Sequence, residues 1–167
     1  MWTTANLQVK GPVLCSADPR RTIFTDTLLS GCSRMSNARI LVVDDDQVIQ
    51  QLLKVNLELE GYAVEVASDG EEALVLFDRF HPDLVLLDIM MPKLDGWEVA
   101  RRLAGTRGGP VPIVLLSARA QESDVQKGND LGVAAYVTKP FDPIQLLHLV
   151  AGIIAQQDRG AATPGVP

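Results

Sequence analysis

The stretch Pro82–Gly96, PDLVLLDIMMPKLDG, decides the fold. It opens on four consecutive apolar residues, Leu84 to Leu87, and the run stops at a single carboxylate, Asp88. An uninterrupted apolar run between polar residues is typical of a strand that is buried on both faces of a parallel sheet. Reactive groups in open α/β sheets sit just beyond the carboxyl ends of the strands, so Asp88 is the first candidate for chemistry. On this stretch alone, an aspartate that caps a helix or closes a loop is the alternative.

Apolar runs and helical spacings alternate on both sides of this stretch. Apolar residues at helical spacing predict a first helix, and a capping box at Asp69 and Glu72 predicts the start of a second. Five strands alternate with five helices, which implies parallel strand pairing and right-handed crossovers. The sequence therefore predicts one doubly wound α/β domain. The residues that carry the first helix are Val48, Leu52, Val55 and Leu59, with Ile49 and Leu53 beside them. The later helices are expected at about 97–104, 121–131 and 143–156.

Charge is unevenly distributed along the chain. Residues 1–38 hold four basic and two acidic residues, whereas residues 39–167 hold 11 basic and 19 acidic residues, so the two parts carry +2 and −8. A nucleic-acid-binding domain needs a basic stripe, so we expect no direct contact with nucleic acid. No apolar run approaches the roughly 20 residues that cross a bilayer, so we expect no membrane span.

Residues 1–38 show neither strand nor helix periodicity, and we expect a disordered leader before a folded domain at 39–157 and a disordered tail at 158–167. Both cysteines, Cys15 and Cys32, lie in the leader, where they suggest free thiols and a cytoplasmic protein rather than a disulfide framework. The pair Arg20-Arg21 is followed by a segment too short and polar for an export signal. Met35 directly precedes the first strand and is expected to be the true translation start; a short docking arm is the other interpretation of the leader.

Polar residues follow four of the predicted strands. They are Asp44 and Asp45 after the first strand, Asp88 after the third, Ser117 after the fourth and Lys139 after the fifth. In a parallel sheet these residues emerge at one edge. Carboxylates this close repel one another by roughly 4 kcal/mol per pair at an effective dielectric near 20, so a positive charge must compensate them. An all-oxygen set without histidine or cysteine favours Mg²⁺ over zinc.

A carboxylate nucleophile, a hard cation, a lysine and a hydroxyl are the groups that in-line phosphoryl transfer requires. The cation and Lys139 would offset charge on the phosphoryl oxygens while Asp88 attacks phosphorus. The resulting aspartyl phosphate adds about −1.5 to −2 of charge. Ser117 can then turn toward a phosphoryl oxygen, and Tyr136 on the adjacent strand is placed to occupy the space that Ser117 leaves.

The order of these motifs resembles the receiver domain of two-component response regulators. The motifs VVDD, LLDIMMPKLDG, LSA and YVTKP occur in family order over about 39–157. The resemblance implies a flavodoxin-like, doubly wound sheet of five parallel strands in the order 2-1-3-4-5, with five helices. It also implies a stand-alone receiver similar to the chemotaxis regulators, because no segment is long enough for an output domain.

The same resemblance implies a role for each site residue. Asp88 would be the phosphoacceptor, and Mg²⁺ would be held by Asp45 directly, by Asp44 through water, by Asp88 and by the backbone carbonyl of Met90. Ser117 would be the switch hydroxyl, Tyr136 the rotating aromatic and Lys139 the phosphate-binding lysine, with a cis peptide between Lys139 and Pro140. Asp46 would cap the first helix and not bind the metal.

The expected function is signalling and not enzymatic turnover of a substrate. A sensor histidine kinase or a phosphotransfer protein would donate the phosphoryl group to Asp88. The signal would pass to a downstream protein, or to a homodimer, through the face formed by 121–156. Two alternatives stay open: a phosphorylation-independent adaptor on the same fold, and an aspartyl-phosphate hydrolase of the haloacid dehalogenase type. The hydrolase is disfavoured because Met90 stands where a second aspartate would be needed.

Overall fold

The computed structural model describes residues 8–9, 38–91, 94–104, 111–118 and 122–160. In chain order, its strands are β1 (Gln8–Val9), β2 (Arg39–Val43), β3 (Ala63–Ala67), β4 (Leu84–Asp88), β5 (Ile113–Ser117) and β6 (Ala135–Thr138). Its helices are α1 (Gln47–Leu59), α2 (Gly70–Phe80), α3 (Gly96–Ala104), α4 (Glu122–Leu131) and α5 (Pro143–Gly160).

The strands form one sheet in the order β1-β6-β5-β4-β2-β3. The five strands β2 to β6 are parallel to their neighbours, which confirms the predicted five-stranded order and fold class. The register places Val43 of β2 beside Leu87 of β4, and Ser117 of β5 beside Thr138 of β6. All these strands therefore end at one edge of the sheet.

The sheet separates two apolar cores because successive side chains of a strand point to opposite faces. On β2, Ile40 and Val42 join the core beneath α1 and α5, whereas Leu41 and Val43 join the core beneath α2 and α3. Every residue of β4 is buried, as the uninterrupted apolar run predicted. The central strand that carries Asp88 is thus held rigidly from both sides.

Helix α1 presents two apolar faces, one buried and one exposed. Leu53 and Leu57 pack into the core. The four residues whose spacing predicted the helix lie on its solvent side. They are Val48, Leu52, Val55 and Leu59.

Local side chains fix the helix ends. Asp46 caps α1 by accepting a hydrogen bond from the N–H of Val48 at 2.8 Å, as predicted. Asp69 caps α2 by accepting from the N–H of Glu72 at 2.9 Å, and the Glu72 carboxylate accepts from the N–H of Ser68 at 2.8 Å. Such reciprocal bonds satisfy backbone donors that the first helical turn leaves free.

The chain termini differ from the sequence expectation where the structure describes them. Gln8–Val9, inside the predicted leader, forms a two-residue antiparallel strand on the outer edge of β6. A segment this short has no periodicity to detect, but it supplies hydrogen-bonding partners to an open strand edge. Helix α5 continues past residue 157 to Gly160. Met35 and residues 161–167 lie outside the described residues. None of the described helices has the length and apolar character needed to cross a membrane.

Replacement of Gly96 by alanine is expected to destabilise the domain. A Cβ at this position would press on the carbonyl oxygen of Asp88 and lie 2.7 Å from the Cα of Ile89, and neither backbone atom can move independently of the site. We expect Gly96→Ala to lower the free energy of unfolding by roughly 1–3 kcal/mol, as overpacking does. Gly152→Ala is the control because nothing lies within 4 Å of its Cβ. That helical substitution should raise stability by about 0.5–1 kcal/mol. Urea denaturation of both variants measures the difference, and equal effects would contradict it.

Candidate functional site

The carboxyl edge of the sheet brings the predicted site residues together. Asp44 follows β2 directly, and Asp88 and Ser117 are the last residues of β4 and β5. Lys139 follows β6, and its backbone N–H donates to the carbonyl of Ser117 at 2.7 Å. The site is therefore assembled by strand register and not by a flexible loop.

Three carboxylates converge at this edge. Oxygen atoms of Asp44, Asp45 and Asp88 all lie within 4.8 Å of one another. Asp44 is 0% exposed and Asp88 is 3% exposed, whereas Asp45 is open to solvent. Two buried acids and one accessible acid thus form a cluster that can be reached from outside.

Lys139 bridges the two buried carboxylates. Its Nζ lies 2.6 Å from Oδ2 of Asp44 and 3.2 Å from Oδ2 of Asp88. Two carboxylates this close would repel each other strongly at the low dielectric of a buried site. One ammonium compensates part of that charge, so three ionised carboxylates with Lys139 still leave the cluster at −2.

Burial and ion pairing have opposite effects on the pKa values of Asp44 and Lys139. Burial raises the pKa of the Asp44 carboxyl above its ordinary 3.8, against the lowering effects of the Lys139 ammonium and the Asp46 N–H. Burial acts to lower the pKa of Lys139, but its hydrogen bond to Asp44 and the charges of Asp44 and Asp88 raise it above 10.5. Lys139 therefore stays protonated, and burial makes the ionised form of Asp44 less favourable than that of a carboxylate in water.

The donor set fits a hard divalent cation. The three clustered groups are all carboxylates. Their oxygen atoms lie within 4.8 Å of one another, so one small cation that prefers oxygen ligands could contact all three. A divalent cation would neutralise the remaining −2. The cluster could therefore hold a metal, with Asp45 as its most accessible ligand.

Backbone donors orient the two buried acids. Oδ1 of Asp44 accepts a hydrogen bond from the N–H of Asp46 at 2.9 Å, and Oδ1 of Asp88 accepts from the N–H of Met90 at 3.3 Å. Their other oxygens, the Oδ2 atoms, face Lys139. The side chain of Met90 is exposed and carries no polar group.

Ser117 and Tyr136 form a second contact beside the carboxylates. Both side chains are buried, and the Tyr136 hydroxyl shares a hydrogen bond with Ser117. Burial raises the pKa of Tyr136 above its ordinary 10.0, although that hydrogen bond acts to lower it. The tyrosine therefore occupies an inward position and stays neutral. The peptide bond between Lys139 and Pro140 is cis, as the resemblance implied.

Gln50 is a site residue that the sequence analysis missed. This buried side chain on α1 donates through Nε2 to the carbonyls of Asp44 at 2.5 Å and Ala67 at 3.2 Å, and to Oγ of Ser68 at 3.3 Å. It thus ties the end of β2, where Asp44 begins the acidic cluster, to the end of β3. A polar residue on the same side of a helix as Leu53 and Leu57 was the signal that could have identified it.

The comparisons with known proteins agree with this arrangement. Residues 40–151 match the family described as the response regulator receiver domain. The chain is 41% identical over 133 residues to "Probable transcriptional regulator ycf27" of Porphyridium aerugineum, covering 80% of this chain and 55% of that relative. It is 45% identical over 125 residues to the "Alkaline phosphatase synthesis transcriptional regulatory protein PhoP" of Bacillus subtilis (strain 168), covering 75% of this chain and 52% of the relative. A CheY-like response regulator receiver domain protein from Methanospirillum hungatei JF-1 matches with a TM-score of 0.70 and 31% identity, covering 74% of this chain and 98% of that one.

Fold and site together define an α/β signalling domain with an acidic cluster at its strand ends. The chain belongs to the response regulator receiver domain family, and this domain is the receiver of a two-component response regulator. The chain spans about half the length of the curated relatives it matches. Their activity as transcriptional regulators is a property of those longer proteins.

Replacement of Gln50 by leucine is expected to destabilise the site edge. The Asp44 carbonyl would lose its buried donor, whereas the Ala67 carbonyl would keep the N–H of Asp44 at 3.2 Å. Leaving one buried polar group unsatisfied costs about 1–3 kcal/mol. Gln51→Leu is the matched control, because the neighbouring glutamine is exposed and should change stability by less than about 0.5 kcal/mol. Urea denaturation gives both values. Equal stability of the two variants would show that the Gln50 contacts contribute nothing.

Proposed function

We propose that Asp88 accepts a phosphoryl group from a phosphohistidine on a sensor histidine kinase or a phosphotransfer protein. The observation that carries this proposal is the placement of Lys139 between Asp44 and Asp88, with Asp45 open to solvent beside them. Such a cluster combines a positioned carboxylate nucleophile with a fixed positive charge and room for a cation.

In this proposal, a carboxylate oxygen of Asp88 attacks phosphorus, a phosphorus–oxygen bond forms, and the phosphorus–nitrogen bond to the donor histidine breaks. The electron pair of that bond returns to the donor imidazole. Asp45, Asp88, the Met90 carbonyl and, through water, Asp44 would hold Mg²⁺, which supplies charge neutralisation to the phosphoryl oxygens when bound. Lys139 already contacts Asp88 and would follow the new phosphate oxygens.

The pair Ser117 and Tyr136 is proposed to report the phosphoryl group. Ser117 lies at the end of β5 and contacts Tyr136, whose backbone belongs to β6. A hydroxyl that turns toward a phosphoryl oxygen would change its contact with the tyrosine. Tyr136 lies within the face formed by 121–156, which we propose as the surface for a downstream protein or a second copy.

Protein partners, and not nucleic acid, are proposed for this domain. Residues 39–167 carry −8, which opposes a direct approach to phosphate backbones. A phosphorylation-independent adaptor is the second candidate, since it would use the same folded faces. The buried acids count against it, because an adaptor has no need to desolvate two carboxylates beside a lysine.

Phosphorylation of the purified chain by a small-molecule phosphodonor is expected to require both Mg²⁺ and Asp88. Intact-mass measurements should show one phosphoryl group per chain in the wild type, and none in Asp88→Asn or after Mg²⁺ chelation. Asp78→Asn, an exposed acid on α2, is the matched control and should be labelled as the wild type is. Labelling of Asp88→Asn with unchanged stoichiometry would overturn the proposal, and binding of partners without any labelling would favour the adaptor.

The phosphorylated state is expected to decay more slowly in the wild type than in Met90→Asn. Met90 offers no group to orient an attacking water, whereas an asparagine amide could supply a hydrogen bond of about 1 kcal/mol, which corresponds to roughly a fivefold change in rate. Met90→Leu is the apolar control and should decay as the wild type does. Loss of label over time, followed by intact mass after donor removal, measures the rates. Faster decay in the wild type than in Met90→Asn would contradict this role of Met90.

A further inference from the structure

The segment Gln8–Val9, which we call the arm, extends the sheet beyond its five parallel strands. It lies antiparallel to β6, with Gln8 beside Tyr136 and Val9 beside Ala135. The arm precedes residues 40–151, the part of the chain that matches the receiver family. A short docking arm was one interpretation of the leader in the sequence, and β6 is the surface on which such an arm would dock.

The two edges of the parallel sheet differ in how they discourage further pairing. Strand β3 forms one edge and carries Glu65 at its centre, and a charged side chain on an edge strand opposes the addition of another strand. Strand β6 forms the other edge, and its sequence, AYVT, contains no charged residue and no proline. An edge strand of this kind is a template for another extended chain. The arm occupies this edge in the structure.

The contact between the arm and β6 is made by the main chain. Peptide groups along a strand alternate between its two neighbours. Of the two successive amides of Ala135 and Tyr136, one therefore points to β5 and the other points to the arm. Pairing of this kind requires an extended backbone with an N–H donor and a carbonyl acceptor, and it requires no particular side chain. Any other extended segment is thus a competitor for the same edge.

The length of the chain permits the arm to reach β6 of its own molecule. Because the arm runs antiparallel to β6, it ends at the edge of the sheet where β2 begins. Three strands separate the arm from β2, so the distance to cross is four strand spacings, about 19 Å. The 28 residues 10–37 between them can span up to about 90 Å.

We propose that the arm docks on the outer edge of β6 within its own chain and excludes other extended segments from that edge. This edge belongs to the face formed by 121–156, and the arm lies beside Tyr136. The consequence for signalling rests on the proposed function of that face. A downstream protein or a second copy that adds a strand to β6 must first displace the arm, so the arm is autoinhibitory.

Tethering sets a quantitative condition on this docking. A segment joined to its binding site through a linker acts at an effective concentration on the order of 10⁻³ M. An arm that is docked for most of the time must therefore bind, as a separate peptide, with a dissociation constant below about 10⁻³ M. Docking of this strength occupies the edge and is still weak enough for a partner protein to displace.

Hydrogen exchange measured residue by residue on the full chain tests the docking. Replacement of both Gln8 and Val9 by proline removes every N–H donor of the arm. Replacement of both by threonine is the matched control, because it keeps the donors and suits a strand. In the proline variant, we expect one of the amides of Ala135 and Tyr136 to exchange at least about fivefold faster than in the wild type. The amide that points to β5 and the amides of β4 should be unchanged, which also verifies folding.

Two results of this measurement would overturn the proposal. The first is equal exchange of both amides in the wild type and the proline variant, or equal acceleration by the threonine variant. The second is protection that appears only as the protein concentration rises from about 10⁻⁵ to 10⁻³ M, since the arm would then dock on another copy.

A synthetic peptide of residues 4–13 with blocked ends tests the exclusion of other segments. At about 10⁻³ M it should restore slow exchange at the open edge of the proline variant, and it should leave the wild type unchanged because the arm fills that edge. The same peptide with both prolines is the control and should have no effect. Failure to restore protection, or equal binding to the wild type, would refute the proposal, as would a native protein whose first residue is Met35. These measurements use neither phosphodonor nor Mg²⁺, so their outcome is independent of the labelling of Asp88.

Discussion

Lys139 places one ammonium against two buried carboxylates, and the rest of the site depends on that contact. Asp44 and Asp88 belong to neighbouring strands, so the sheet that buries their backbones also forces their charges together. Without a cation, that arrangement would oppose folding. Lys139 comes from beyond β6, at the far side of β5, and its position requires the whole parallel sheet to be in register. The same parallel sheet therefore determines both the fold and the position of the compensating ammonium.

The ammonium of Lys139 compensates only part of the charge of the three carboxylates. Burial still raises the pKa of Asp44 despite the ion pair, and one acid remains open to solvent. A cluster that was fully neutral would have no electrostatic reason to bind a further cation. The structure thus combines enough positive charge for folding with enough residual negative charge to attract an ion. Ser117 lies on β5, beside the strand of Asp88, and Tyr136 lies on β6, the next strand, so a change of charge at Asp88 is close to a buried hydroxyl pair.

Much of the fold could be predicted because the central strands β4 and β5 are buried on both faces and each ends in a polar residue. Apolar runs such as Leu84–Leu87 are strong signals, and the strand ends identified Asp44, Asp88, Ser117 and Lys139 without any coordinates. Gln50 was missed because it donates mainly to backbone carbonyls, and a sequence does not show which carbonyl a side chain reaches. Strand β1 was missed because two residues have no period. Helix α1 was predicted, but its orientation was not, since spacing alone cannot tell which of two apolar faces enters the core.

That ambiguity in α1 has a consequence for how the chain finds its native state. Turning the helix by half a revolution about its axis would exchange Leu53 and Leu57 for another set of aliphatic side chains, so apolar spacing alone does not fix the orientation. The amide of Gln50 favours the observed orientation, because it reaches the carbonyls of Asp44 and Ala67 there. A single polar side chain thus helps to set the orientation of α1, at the strand end where the acidic cluster begins.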